Sequence, residues 1–247
     1  MNEIYGEPFF ARQTNTGLYV QLHDAGYTRE DLRVVQSAYR LACRLFSGRY
    51  RKTERAFICH AVGGASSAAR FDGRLSHVLA AMLHAAYDSG QFPDGRIGGA
   101  SPRHRKWLAA RVGAEVESIL YRYSSFDFER GAPERYCSEG FKEANRDLLF
   151  IALAHEVDDM ADAGLSFAPK YGQSITSRVE ACASLANQIG KPELAATLEA
   201  HGRLYDDIDW VDDLKSKTLH GFHIVPNVLA YLRYRFNHLR GKFVKVA

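Results

Sequence analysis

The sequence predicts an all-α fold built as a single large domain. Apolar residues recur at helical spacing along most of its 247 residues, β-branched runs with period two are nearly absent, and Gly- and Pro-containing breaks separate the apolar stretches. At 46% hydrophobic content the chain can bury one substantial core. Residues 1–27 are expected as an N-terminal extension, with one helical domain over 28–247 and a C-terminal helical extension from about residue 165.

The first helix is expected to start at Thr28, whose hydroxyl can cap free backbone donors while Asp31 supplies the acidic third position. It runs through Leu32, Val35, Ala38, Ala42 and Leu45 to Phe46, and Gly48 ends it. A second helix carries His60 and Ala61 to Ala69; Gly63 and Gly64 near its start each weaken it by about 1 kcal/mol relative to alanine, but suit a close helix contact. Asp72 reads as the cap of a third helix, which buries Leu75, Val78, Leu79, Met82 and Leu83 and carries His84 before a turn at Ser89-Gly90. The Gly- and Pro-rich stretch from Gln91 to Arg105 reads as a loop placed to cover a site, and helices are expected at about 103–124, 138–163, 172–188, 192–202 and 218–238. Pro226 should interrupt the last of these.

The longest apolar run, Leu148 to Ala154, is far short of the roughly 20 residues a membrane span needs. The first residues lack a basic leader and an apolar stretch, so a cytoplasmic location is expected. Basic and acidic residues nearly balance, 32 against 29, which argues against nucleic-acid binding by field alone and leaves a local anion site open. Cys43, Cys59, Cys137 and Cys182 stand far apart without metal-site spacing, and buried free thiols are expected.

The chemistry-bearing residues concentrate between Arg51 and Asp88. Neutral imidazoles on packed helices can meet at one metal ion, and His60 and His84 stand on consecutive expected helices; the alternative is that each merely bonds a core carbonyl. Arg51 and Lys52 belong to the basic run GRYRKTER, which suits an anionic ligand or a solvated helix end. Asp88 lies one helical turn after His84, placed to take a proton, ligate a metal or only cap its helix. His155 and Asp159 share a helical face with Leu148 and Ile151, as a site or as a buried hydrogen bond. Tyr87, Tyr121, Tyr123, Phe126 and Phe128 could line a pocket for a base or sugar, or only fill the core. His220 with His223, and the acidic stretch Asp206, Asp207, Asp209, Asp212 and Asp213, read as helix surface.

Three blocks carry a resemblance: Ala38 to Lys52, then AFICH (Ala56 to His60), then AAMLHAAYD (Ala80 to Asp88), with a further echo in LAHEVDDM (Leu153 to Met160). Together they resemble the HD-domain superfamily, most closely the hydrolase domain of the RelA/SpoT type, which cleaves guanosine penta- and tetraphosphate. The resemblance covers about residues 30 to 162. It implies an HD-like helical fold with His60 and His84 as metal ligands, Arg51 and Lys52 facing a nucleotide, Asp88 in place of the catalytic glutamate, and Asp159 contacting substrate.

The chain departs from the family pattern at Ala85, where the family has the aspartate that names it, at Ser89, where it has a second acid, and at His155, where the last ligand is an aspartate. His60, His84 and His155 would then form a three-histidine site suited to a divalent transition metal such as Zn, Mn or Fe, late metals best. The resemblance thus implies a metal-dependent phosphohydrolase acting on a nucleotide or small phosphate ester; the C-terminal third, beyond about residue 165, could shape a pocket, form a homodimer interface or only complete the core. The departures keep open a degenerate HD-like module that binds a ligand or partner without hydrolysis. A third reading follows HD-type metal-dependent oxygenases.

Overall fold

The structure is a computed structural model and describes residues 9–51, 53–128, 131–162, 169–204, 211, 223–224, 232 and 236. Its fold is all-α. In chain order the helices are α1 (Asn15–Asp24), α2 (Arg29–Leu45), α3 (Phe57–Phe71), α4 (Leu75–Leu83), α5 (Ala86–Ser89), α6 (Pro102–Val112), α7 (Ala114–Tyr123), α8 (Ala132–Glu139), α9 (Arg146–Met160), α10 (Pro169–Thr176), α11 (Val179–Gln188) and α12 (Pro192–Gly202). One antiparallel pair joins β1 (Arg49–Tyr50) to β2 (His223–Ile224). Residues 223–224 are therefore strand, where the sequence pattern predicts helix; residues 232 and 236 are helical as expected, and the remainder of that expected helix, with His220 and the five aspartates between 206 and 213, lies outside the described residues.

Helices α3 and α9 form the centre. Both are buried nearly all round, α3 from Phe57 to Ala69 except at Ile58 and Cys59, and α9 from Leu148 to Met160 except at His155. Helix α3 packs on α4, α9 and α1, while α2 and α7 lie against α4, and α12 lies against α9 and α11. Two glycines bring these backbones together. A Cβ at Gly64 would stand 3.4 Å from the Ala81 carbonyl oxygen of α4, and one at Gly63 would stand 1.8 Å from Oδ1 of Asp158 on α9. The propensity lost at each glycine is thus exchanged for close helix contact.

Thr28 and Asp31 form the expected capping box of α2, each side chain accepting from the other's backbone N–H. Three expectations need correction. Residues 9–27 are not merely an extension: Thr14 caps α1, and Leu18 and Leu22 are fully buried in the common core. Helix α4 begins one step past Arg74, with Asp72 instead accepting from Arg74 and Lys191, and it ends at Leu83, so His84 sits at its C-terminus, before α5. The span 103–124 splits into α6 and α7 because Gly113 takes φ +86°, a left-handed conformation that a side chain disfavours; 138–163 likewise splits, with α8 ending at Gly140 (φ +80°). The described cysteines are free as expected, yet only Cys182 is buried. No helix among the described residues is long and apolar enough to cross a membrane.

Candidate metal centre

Helices α3, α4 and α9 bring His60, His84 and His155 together. Their ring centroids lie 4.3 Å (His60 to His155), 4.7 Å (His84 to His155) and 5.3 Å (His60 to His84) apart. One ring nitrogen from each lies within 4.8 Å of the others, close enough for a single ion. The same spacing holds for His60, Asp158 and Asp159, and for His155, Glu156 and Asp159.

Hydrogen bonds fix which imidazole nitrogens face the cluster. Nδ1 of His60 lies 2.6 Å from Oδ2 of Asp158 and donates to it; Nδ1 of His84 lies 2.8 Å from the Ala81 carbonyl oxygen and donates there. In both rings Nε2 is left with its lone pair. A carboxylate or carbonyl behind the imidazole is the arrangement that orients a metal-ligating histidine and raises its basicity. The residues present therefore fit a divalent cation: three imidazoles in the front rank, with Asp158 and a backbone carbonyl behind two of them.

Burial keeps the His60 and His84 rings neutral. The His60 imidazole is pushed well below its ordinary value by burial and by the Arg51 guanidinium, with His155, His84 and Arg55 adding to the effect. Burial and His155 pull His84 from 6.5 to about 3. Burial alone would raise the Asp159 carboxyl, but Arg51, His155 and Arg55 outweigh it and hold it at about 2. Burial raises the Asp158 carboxyl against the opposing pull of Arg55.

These shifts fix the sign of a pH effect. Between pH 6.5 and about 3 the unfolded chain protonates a histidine that the folded protein keeps neutral at position 84, so stability declines as pH falls through that window. Asp159 contributes stability above its unfolded value of 3.8 and loses it as pH falls towards about 2. The urea midpoint of metal-free protein is expected to drop from about pH 7 to about pH 4, the raised Asp158 carboxyl offsetting part of the loss; a midpoint that stays level in Asp158→Asn as well would rule out buried neutral histidines.

The arginines come from a tight turn between β1 and α3. Arg51 N–H donates to the Arg55 carbonyl, and Glu54 sits at φ +61°, a strained conformation for a residue with a side chain. The turn aims both guanidinium groups inward. Arg51 donates from Nη1 to Nε2 of His60 at 2.9 Å and from Nη2 to Asp159, while Arg55 donates to Asp158 and pairs with Asp162 at 3.5 Å. Thr53 donates to Asp162 at 3.0 Å. Arg51 thus occupies the cluster itself, where the sequence pattern places it on a nucleotide; Lys52 lies outside the described residues.

The other predicted residues divide. His155 and Asp159 approach to 3.8 Å, too far for the expected hydrogen bond, because Asp159 turns to Arg51. Asp88 projects from α5 as an exposed side chain, and partial desolvation raises its carboxyl above the ordinary range. Tyr123 lies with its ring 6.0 Å from His84, and its phenol is raised by burial and by the charges of Glu156, Asp88 and Asp159. Tyr87 is buried and donates to Glu117, and Tyr121 is an exposed platform for Arg105, so neither joins a pocket at this cluster. Phe126 and Phe128 stack on each other beyond Tyr123.

Sequence reasoning missed Asp158 and Gln13, and saw Arg55 only as part of the basic run GRYRKTER. Asp158 is fully buried and collects three side-chain donors, from His60, Arg55 and Gln13, the last at 2.8 Å. The visible signal was the acid cluster Glu156, Asp158 and Asp159 directly following the apolar run Leu148 to Ala154, which puts at least one acid inside. Glu156 is also buried, held by both forks of Arg178 at 2.7 and 3.1 Å.

Fold and site together define an all-α protein with a buried histidine-carboxylate cluster able to hold a metal. No protein-family model matches the chain, and no curated protein matches it.

Proposed function

We propose that this chain is an HD-like, metal-dependent phosphohydrolase acting on a nucleotide or small phosphate ester. The convergence of His60, His84 and His155 supports that reading most, because three residues from three separate helices meet with their nitrogens turned inward. A divalent cation held there would lower the pKa of a bound water and stabilise charge on a phosphoryl oxygen. Asp158 and Ala81 set the ring tautomers of His60 and His84. Asp88, raised above the ordinary carboxyl range at the exposed edge of α5, is placed to exchange a proton with solvent, and Asp159 holds Arg51 over the cluster.

A second reading, a ligand-binding module without turnover, has its own support. Ala85 is buried and contributes no ligand, and Arg51 closes the ion-pair network on itself. A screen of nucleotides and phosphate esters against metal-loaded protein separates the two. Phosphate release that disappears in His84→Ala, while the variant stays folded, is expected for the hydrolase; tight binding without release favours the second reading. Oxidised product in place of phosphate would redirect the assignment to oxygenase chemistry.

A further inference from the structure

Arg51 stands on the lone pair that a metal at this cluster would use. Its Nη1 donates to Nε2 of His60 at 2.9 Å, its Nη2 bonds Asp159, and its side chain is only 11% exposed. Nδ1 of His60 is already committed to Asp158, so the ring has no second lone pair to offer. Any cation that takes Nε2 must displace the guanidinium.

We propose that Arg51 is a resident cation which couples metal binding to anion binding: displaced from His60 and Asp159, it becomes the fork that grips the phosphoryl group of the ligand. This rests on the metal-dependent reading above and adds to it an obligatory order of exchange. The physical reason is charge balance in a poorly solvated place. Displacement without an anion leaves a largely buried guanidinium without its carboxylate, which is strongly unfavourable. A phosphoryl dianion restores two charge-assisted bonds in the planar geometry that guanidinium favours. Anion binding without metal must pull Arg51 from Asp159, whose carboxyl is held ionised by that same guanidinium. Each ligand therefore removes the obstacle to the other, and linkage requires the two effects to be equal.

Arg51 and Arg55 lie at the two ends of a segment whose backbone closes on itself and holds Glu54 at φ +61°. Arg55 stays anchored between Asp158 and Asp162. Only the Arg51 side chain has to exchange partners.

The test is a cobalt(II) titration of the full chain, followed by the visible spectrum of the bound ion, with and without methylphosphonate and corrected for the cobalt that the phosphonate itself complexes. Wild type is expected to bind cobalt about tenfold or more tightly with saturating methylphosphonate, and the phosphonate more tightly by the same factor with cobalt. Arg51→Gln should bind cobalt more tightly than wild type in the absence of anion and show a coupling factor near one. The wild-type comparison stands even where the variant fails to fold. Cobalt binding that ignores phosphonate in wild type and is unchanged by Arg51→Gln would overturn the coupling while leaving the metal site intact. Folded wild type that takes up no cobalt under either condition would overturn both.

Discussion

Asp158→Ala is expected to destabilise the protein by about 3–5 kcal/mol, the usual consequence of removing one partner from a buried ion pair. The substitution leaves Arg55 without its closest carboxylate, with Asp162 at 3.5 Å and the His60 ring at 3.3 Å, removes the acceptor of the His60 Nδ1 proton, and frees Gln13 from its bond across the core. Metal affinity should fall with it, by about 10- to 100-fold, because His60 loses the group that fixes its orientation. Asp158→Asn separates these effects. Its amide oxygen can still accept from His60 and preserve much of the packing, but without the charge it cannot balance Arg55 or strengthen the ligand. Urea denaturation with metal titration would detect both losses; an Asp158→Ala protein as stable as wild type would remove Asp158 from the account.

Gly63→Ala carries the second large effect. An added Cβ would lie 1.8 Å from Oδ1 of Asp158, inside any allowed contact. Alanine gains about 1 kcal/mol of helix propensity over glycine. Overpacking a filled interior costs about 1–3 kcal/mol, and the upper end applies here because three donors pin the carboxylate in place. The clash wins, with an expected net loss of about 2 kcal/mol, or about 4–8 °C in melting temperature for a chain of this size. Metal affinity should fall too, since Asp158 can retreat only by releasing His60. A thermal melt unchanged by Gly63→Ala would mean that α3 and α9 are further apart than the structure places them.

The parts of the molecule governed by local rules were legible in the sequence. Thr28 and Asp31 announce the start of α2 because a capping box involves residues only three apart, and the apolar spacing of Leu75 to Leu83 announces α4. The glycines at 63 and 64 carried a correct hint of close contact without naming the contact. What was not legible depends on long-range packing. The partners of Asp158 lie 98, 103 and 145 residues from it, and nothing in the local string EVDDM says which acid turns inward. Helix α1 was passed over because Leu18 and Leu22 form too short a stripe to stand out, although Thr14 offers a cap. Arg51 was read from its basic neighbours as a group for an anionic ligand or for solvent, whereas it turns inward onto His60 and Asp159.

Ala85 changes its meaning once the site is assembled. A carboxylate missing from the end of α4 would by itself indicate a lost centre. Here His155 reaches the same cluster from α9, with Asp158 and Asp159 close by, so three imidazoles still meet without a carboxylate at position 85. Three imidazoles favour a late transition metal over the oxygen-rich sites that suit magnesium.

Elemental analysis of the purified, folded wild-type chain tests this account most directly. The expected result is a late divalent metal, zinc or iron above all, near one equivalent per chain, removed by substitution of His60, His84 or His155. Folded wild-type protein that remains metal-free after incubation with zinc, manganese and iron(II) would contradict it.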